Sequence, residues 1–318
     1  MKQRSLGTQG LKVSELGYGA MGVTSFYGPS DEAEGIATIK RAYELGVNFF
    51  DTAELYGWGE NEKVIGKAVK AFRDYIVIAT KFGFSRDYTL NSRPDNIRRV
   101  TDNSLLHLGI EQIDVLYQHR VDPNVPIEDV AGAVKDLIAA GKIKYFGMSE
   151  AGPETIRRAH AVQPVSVLQT EYSLFEREVE SVLPTLRELG IGFVAYSPLG
   201  RGFLTGAALP AAELAADDFR RRDPRWQPGN FESNMNAVRQ LGNLLPGVTA
   251  AQVALAWLLA QGHDIVPIPG TRHQGRLEEN IAASAVRLNV DDLAKIAEIL
   301  PTGGFGARYD EVSLPKWI

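Results

Sequence analysis

Four side chains with complementary proton chemistry end or follow apolar runs near the start of the chain: Asp51, Tyr56, Lys81 and His119. The first two share the motif GVNFFDTAELYG at 46–57, in which the apolar run 47–50 gives way to Asp51 and Tyr56 follows five positions later in a short polar turn. Lys81 closes the run IVIATK, and His119 closes IDVLYQH. A phenol with its ordinary pKa of about 10 is a poor acid at neutral pH, but a nearby ammonium favours the phenolate and lowers that pKa. Lys81 would thus tune Tyr56, Asp51 would hold Lys81 charged and oriented, and His119 would orient a carbonyl oxygen or share the proton. Such a set performs general acid catalysis at a carbonyl. Singly, each residue has a plainer reading as a turn residue, a solvated lysine or a structural histidine. Their joint placement at the ends of three successive strands favours the chemical one.

The punctuation continues at Ser149, Gln169, Tyr196 and Gly270, and the elements that would hold these residues alternate in kind. Strand-like runs at 16–19, 47–50, 75–79, 113–117, 144–148, 165–168, 192–195 and 265–267 are followed by amphipathic helical patterns at 31–45, 62–72, 94–107, 127–140, 153–161, 179–189, 250–260 and 275–283. Ser30 is a plausible N-cap of the first helix, beside Asp31. The opening RSLGTQGLKVSEL reads as a hairpin that caps something. Eight βα units with right-handed crossovers predict an α/β chain, a single (β/α)8 TIM barrel over 1–318 with long loops at its C-terminal rim, where catalytic groups of this architecture lie. The rival open doubly wound sheet needs a glycine-rich turn opening a helix, and GYGAMG at 17–22 lacks the helix. Two stretches fall outside the pattern: 200–240, expected to form a lid, and the tail after Asp291.

Bulk properties narrow the chemistry. A chain of 318 residues, 44% hydrophobic and 23% charged, can bury a large core. A net charge of -5, with no basic run longer than Arg220–Arg222, leaves no footprint for nucleic acid or an anionic membrane. The absence of cysteine excludes disulfides, thiolate metal sites and cysteine nucleophiles. The five histidines offer no HxH or HExxH pair, so no metal is expected. The amino terminus lacks an apolar signal core, and no run of 18 uncharged apolar residues occurs, from which a cytoplasmic protein acting on small molecules is expected.

The motifs quoted above resemble those of the aldo-keto reductases, barrel-fold NAD(P)H-dependent carbonyl reductases, along essentially the whole chain. The resemblance implies that Asp51, Tyr56, Lys81 and His119 form the family's catalytic tetrad. It implies further that Ser149 in YFGMSE and Gln169 in SVLQTEYS bind the nicotinamide carboxamide, that Tyr196 in VAYSPLGRGFLTG stacks on the nicotinamide, and that Ser197, Pro198, Leu199, Gly200 and Arg201 follow the pyrophosphate. In IPGTRHQGRLEEN, Gly270, Thr271, Arg272 and Arg276 would surround a 2'-phosphate, with Glu279 and Asn280 near adenine; Met21, Gly22 and Asp51 complete the implied cofactor contacts. Two positions depart from the common pattern: Gly270 stands where lysine is frequent, and Glu150 where asparagine is. The phrases GMSEAGPETIRRAH and EYSLFEREVE are most similar to the bacterial, yeast and plant branch that reduces small aldehydes and pyridoxal. The cofactor implied is NADPH and the partner a carbonyl substrate, in a pocket walled by Phe26, Trp58, Phe84 and Trp226. Two alternatives stay open: a non-catalytic NADP(H)-binding regulatory subunit, and a Schiff-base aldolase using Lys81.

Overall fold

The computed structural model of the protein describes residues 1–24, 30–216 and 218–309; Phe26 lies outside them. An antiparallel hairpin, β1 (Gln3–Leu6) and β2 (Leu11–Ser14), precedes eight strands that neighbour one another in chain order, every pair parallel. These are β3 (Tyr18–Gly19), β4 (Phe49–Asp51), β5 (Val77–Phe82), β6 (Ile113–Gln118), β7 (Ile143–Ser149), β8 (Val165–Glu171), β9 (Gly192–Tyr196) and β10 (Ile265–Pro267). The crossovers carry α1 (Glu32–Glu44), α2 (Glu60–Val69), α3 (Pro94–Leu108), α4 (Ile127–Ala139), α5 (Pro153–Val162), α6 (Leu183–Leu189) and, between β9 and β10, α7 (Asn230–Gly242) and α8 (Ala250–Ala260); α9 (Gln274–Ala282) and α10 (Val290–Ile299) follow β10.

Strand alternation separates two cores. Phe49, Ala79, Val115, Tyr117, Val167, Val194 and Val266 fill the inside of the curled sheet together with Leu6, Leu11 and Val13 of the hairpin, which therefore plugs its N-terminal end. The intervening residues Phe50, Ile78, Leu116, Phe146, Leu168, Phe193 and Ile265 belong to the outer core shared with the helices. Arg4 fastens the plug: its guanidinium donates to the carbonyls of Gly262 (2.5 Å), Ile265 (2.7 Å) and Leu259 (2.8 Å).

Between the first and last strands the sheet closes on single hydrogen bonds, Gly17 N to Pro267 O at 3.0 Å and Gly19 N to Pro269 O at 3.3 Å. The return bond of a parallel ladder to the Gly17 carbonyl would come from residue 269, a proline with no N–H. The seam closes instead by backbone approach. A Cβ on Gly19 would lie 2.7 Å from the Ile268 carbonyl oxygen, and one on Gly270 would strike that of Gly19.

Several expectations need correction. Asp31, not Ser30, caps α1, its carboxylate accepting from the N–H groups of Ala33 and Glu34, because it stands one residue before the helix starts. Pro184 sits in the first turn of α6, so the pattern read as one helix at 179–189 divides into a 3-10 turn, Glu178–Ser181, and α6. The described residues of 200–240 carry four 3-10 turns and then α7, and the tail after Asp291 carries most of α10, whose start is capped by a box between Asn289 and Asp292. Turns of three to six residues are too short to show a period. Trp226 does not wall a pocket: it is 2% exposed and packs edge-on against Phe203 at 4.7 Å.

The seam makes a paired stability test. Gly270→Ala should destabilise the protein by about 1–3 kcal/mol, since the added methyl meets backbone. Gly132→Ala, within α4 and at a position where a methyl would meet no atom inside 4 Å, should stabilise by roughly 0.5–1 kcal/mol. Urea midpoints measure both, and Gly270→Ala at or above the wild-type midpoint would contradict the close approach.

Candidate active site

Asp51, Lys81, Ser149, Gln169 and Tyr196 sit on or near the last rungs of their strands, whereas Tyr56 and His119 lie just beyond the ends of β4 and β6. In the register Asp51 pairs with Ala79 and Lys81 with Tyr117, so Lys81 lies two residues above Asp51's level on the same inward face. Its Nζ reaches back to donate to Asp51 Oδ1 and to the Thr52 carbonyl (2.7 Å), and it hydrogen-bonds Tyr56. Lys81 and Asp51 have side chains 1% and 3% exposed. Tyr56 comes from a turn that needs left-handed backbone at Gly57, Trp58 and Gly59 (φ 71°, 53° and 100°); a Cβ at Gly59 would strike the His107 ring. The Tyr56 ring centroid is 5.2 Å from Lys81 Nζ. His119 follows β6, its N–H bonded to the Phe82 carbonyl (2.8 Å), and its ring stands edge-on to Tyr56 (6.1 Å) and to Phe84 (5.3 Å).

Burial dominates the protonation of this group. It lowers Lys81, but Asp51 and Tyr56 outweigh it and hold the ammonium above its ordinary range. Burial raises Asp51 against the pull of Lys81 and the Gln169 amide. It also raises Tyr56, and Lys81 only partly offsets it. The expectation of a lowered Tyr56 pKa is therefore overturned, because desolvation of a phenolate exceeds the attraction of one ammonium already shared with Asp51. His119 is pushed well below its usual value by burial, Arg120 and Lys81, and is neutral.

Ser149 and Gln169 are partners in the β7–β8 register. Gln169 Nε2 donates to Asp51 Oδ2 (2.7 Å), and Ser149 Oγ accepts from Arg120 Nη1 (3.3 Å). The Tyr196 hydroxyl donates to Glu150 Oε1 (2.8 Å) and lies 3.4 Å from the Tyr309 hydroxyl. Glu150 has left-handed backbone (φ 54°) and is 1% exposed. Arg308 from the tail clasps it with both Nη atoms (3.1 and 2.6 Å). The glutamate that departs from the common pattern thus anchors the tail at the rim.

Beyond Tyr196 the chain runs through Ser197 (φ 47°), the buried Pro198 and Leu199, and a left-handed stretch at Gly200, Arg201 and Gly202 (φ 55°, 56° and 92°). Arg201, whose side chain is 5% exposed, pairs with Glu171 (3.1 Å) and Asp223, donates to the Arg308 carbonyl (2.8 Å), and stacks over Tyr309 at 4.3 Å. Thr271, Arg272 and Arg276 lead into and begin α9; Glu279 is half-buried and Asn280 5% exposed on it. Among the described residues neither Arg272 nor Arg276 pairs with a carboxylate, and α9's N-terminus adds its own positive end. Gly270, next to Thr271, lies in the seam, where any side chain would strike Gly19, so it offers this group backbone only. Met21 and Gly22 lie in the turn after β3, half-buried. A hydroxyl and an amide at one end, left-handed backbone in the middle and two open guanidiniums at the other end are a donor set suited to a dinucleotide.

Sequence reading missed Arg120, Arg308 and Tyr309. Arg120 directly follows His119 in the sequence, so its position was visible. Arg308 gave no signal, since nothing in the sequence joins it to Glu150. Among the described residues no helix is long and apolar enough to cross a membrane.

The model of the aldo/keto reductase family matches residues 15–301. The chain is 46% identical over 314 residues to the probable aldo-keto reductase 1 of Glycine max, covering 96% of this chain and 90% of that protein. It is 43% identical over 311 residues to the aldo-keto reductase yakc of Schizosaccharomyces pombe, whose name carries NADP(+), covering 93% and 92%. Among solved structures it is similar to the glycerol dehydrogenase AKR11B4 of Gluconobacter oxydans, with a TM-score of 0.87, 28% identity and 94% of each chain covered. The aldo-keto reductase AKR11C1 of Bacillus halodurans gives a TM-score of 0.79 at 26% identity, over 98% of this chain and 99% of that one.

The tail clasp is open to a double-mutant cycle. Arg308→Met leaves the Glu150 carboxylate buried without its guanidinium and should cost about 3–5 kcal/mol, with Glu150→Gln in the same background recovering much of the loss. Additive losses in urea denaturation would show that the two side chains do not act as a pair.

Proposed function

The chain belongs to the aldo/keto reductase family and is an oxidoreductase, and we propose that it reduces aldehydes or ketones to alcohols with NADPH, using Tyr56 as general acid. The observation that carries this reading is the buried chain of contacts from Asp51 through Lys81 to Tyr56, with neutral His119 edge-on to the phenol.

When bound, NADPH supplies the hydride that reduces the carbonyl carbon. Tyr56 gives its phenolic proton to the carbonyl oxygen, and the phenolate left behind is stabilised by Lys81 and reprotonated from solvent. The raised Tyr56 pKa suits this role: the phenol stays protonated until charge develops on oxygen. Lys81 then acts in a site of low dielectric, where its attraction for an oxyanion is strongest. Neutral His119 offers an N–H to the same oxygen, which fixes the carbonyl's orientation. Asp51 keeps Lys81 charged, which also opposes a Schiff-base role for that lysine.

Ser149 and Gln169 would bind the carboxamide, Tyr196 would present its ring to the nicotinamide, 197–201 would follow the pyrophosphate, and Arg272 and Arg276 would meet the 2'-phosphate, with Glu279 and Asn280 near adenine. The NADP(+) in the yakc name supports the phosphorylated cofactor. With Gly270 taken by the seam, phosphate selectivity rests on the two arginines.

Tyr56→Phe should abolish carbonyl reduction while cofactor affinity stays within a few-fold, because the phenol acts only as the oxyanion forms. Such acid catalysis is typically worth ~10² to 10⁴, so retention of more than about a tenth of kcat under rate-limiting hydride transfer would refute the assignment. A wild-type protein that binds NADPH but reduces no aldehyde in a broad panel would favour the regulatory-subunit alternative.

Fluorescence titration should give tighter binding of NADPH than of NADH. Each of Arg272→Ala and Arg276→Ala should weaken NADPH roughly 10- to 100-fold, the worth of a charge-assisted hydrogen bond, with little change for NADH. Equal dissociation constants for the two cofactors would remove the phosphate assignment and leave the proton chemistry intact.

A further inference from the structure

The chain has a net charge of -5, yet its candidate active site contains the cations Lys81 and Arg120, and Arg86 lies over the Trp58 ring at 5.8 Å. Two of the neighbouring charges are cancelled locally. Lys81 is paired with Asp51, and Glu150 is held by both Nη atoms of Arg308. Arg120 is not cancelled. Its Nη1 donates to the His119 carbonyl (2.6 Å) and to Ser149 Oγ (3.3 Å). Among the described residues it forms no ion pair, and neither Nε nor Nη2 donates to a protein acceptor. Its charge is felt by Tyr56, His119 and Tyr196, and it is held charged against burial by Tyr196, Glu150, Tyr309 and Tyr56. A guanidinium whose charge acts on the proton-donating phenol, and of which only Nη1 is engaged among the described residues, is a site for an anion.

We propose that Arg120 is a specificity-determining residue that selects carbonyl substrates carrying an anionic oxyacid group, a carboxylate or phosphate monoester, a few atoms from the carbonyl. The inference rests on the reductase reading and names the substrate class for that same site. The position favours a substrate group. Arg120 Nη1 is bonded to the His119 carbonyl and to Ser149 Oγ, and its charge acts on Tyr56 and His119, so an anion held by its remaining donors would lie beside the group that addresses the carbonyl oxygen. The aromatic side chains Trp58, Phe84 and Tyr88 at the mouth supply apolar surface for the intervening carbons. Planar guanidinium geometry matches two carboxylate or phosphate oxygens, which a lysine in its place would not. A purely structural Arg120, serving only to place Ser149, predicts no discrimination among substrates by charge.

The test compares kcat/KM for butanal, 4-oxobutanoate and 3-oxopropyl phosphate in the wild-type protein, Arg120→Met and Arg120→Lys. Wild type should prefer at least one anionic aldehyde over butanal by roughly 10- to 100-fold, mainly through KM, as expected for a charge-assisted hydrogen bond. Which of the two is preferred distinguishes carboxylate from phosphate. The preference should collapse in Arg120→Met and persist in part in Arg120→Lys. Should Arg120→Met fail to fold, the wild-type preference and its decline in 0.5 M salt decide. A second arm needs no turnover: intrinsic fluorescence titrated with butanoate and with butanamide should show tighter binding of the acid, lost in Arg120→Met. Reduction of butanal as efficient as that of both anionic aldehydes, or an unaltered ratio in Arg120→Met, would overturn the assignment of Arg120 and spare the reductase reading. Absence of any carbonyl reduction would count against that reading instead, and equal binding of acid and amide would then dispose of the anion site as well.

Discussion

The buried ion pair between Asp51 and Lys81 is the constraint on which the site depends. Taking both charges out of water is expensive, and their mutual attraction repays it only when the remaining donors and acceptors are satisfied. The protein meets that condition with the Thr52 carbonyl and Tyr56 on the lysine and the Gln169 amide on the aspartate. These partners come from β4, the turn behind it, β5 and β8. The pair therefore ties three strands and one turn at the C-terminal rim into a single electrostatic unit. The same burial holds His119 neutral and Tyr56 protonated, while Asp51 and Tyr56 keep Lys81 charged against it.

A second charge cluster orders what surrounds this unit. Glu150 and Glu171, at or just past the ends of β7 and β8, are fully buried and face Arg308 from the tail and Arg201 and Arg225 from the long β9–β10 connection. Asp223 and Glu176 complete the cluster. Segments with little regular structure are thereby fixed by ion pairs rather than by apolar periodicity. Arg201, expected on the dinucleotide, is engaged by protein carboxylates, and Tyr309 stacks on it beside Tyr196.

Much of this was legible in the sequence. Strand and helix alternation gave the eight βα units, since period-two and period-3.6 patterns follow from backbone geometry alone. The abrupt ends of apolar runs marked Asp51, Lys81, Ser149, Gln169 and Tyr196, because a polar side chain on an inward rung is tolerated only at the rim. GVNFFDTAELYG carried both the carboxylate and the phenol. The absence of cysteine closed whole classes of chemistry before any fold was considered.

Other features were decided by tertiary structure. The direction of the Tyr56 shift depends on how much solvent the packed rim removes, and spacing between residues does not encode that. The need for glycine at 270 arises from its approach to Gly19, about 250 residues away along the chain. The Glu150–Arg308 clasp joins residues 158 positions apart, and with Glu150 held by Arg308, Arg120 has no ion pair among the described residues. Local chemistry is written in neighbouring residues; which charges cancel and which remain is a property of distances that only the closed barrel defines.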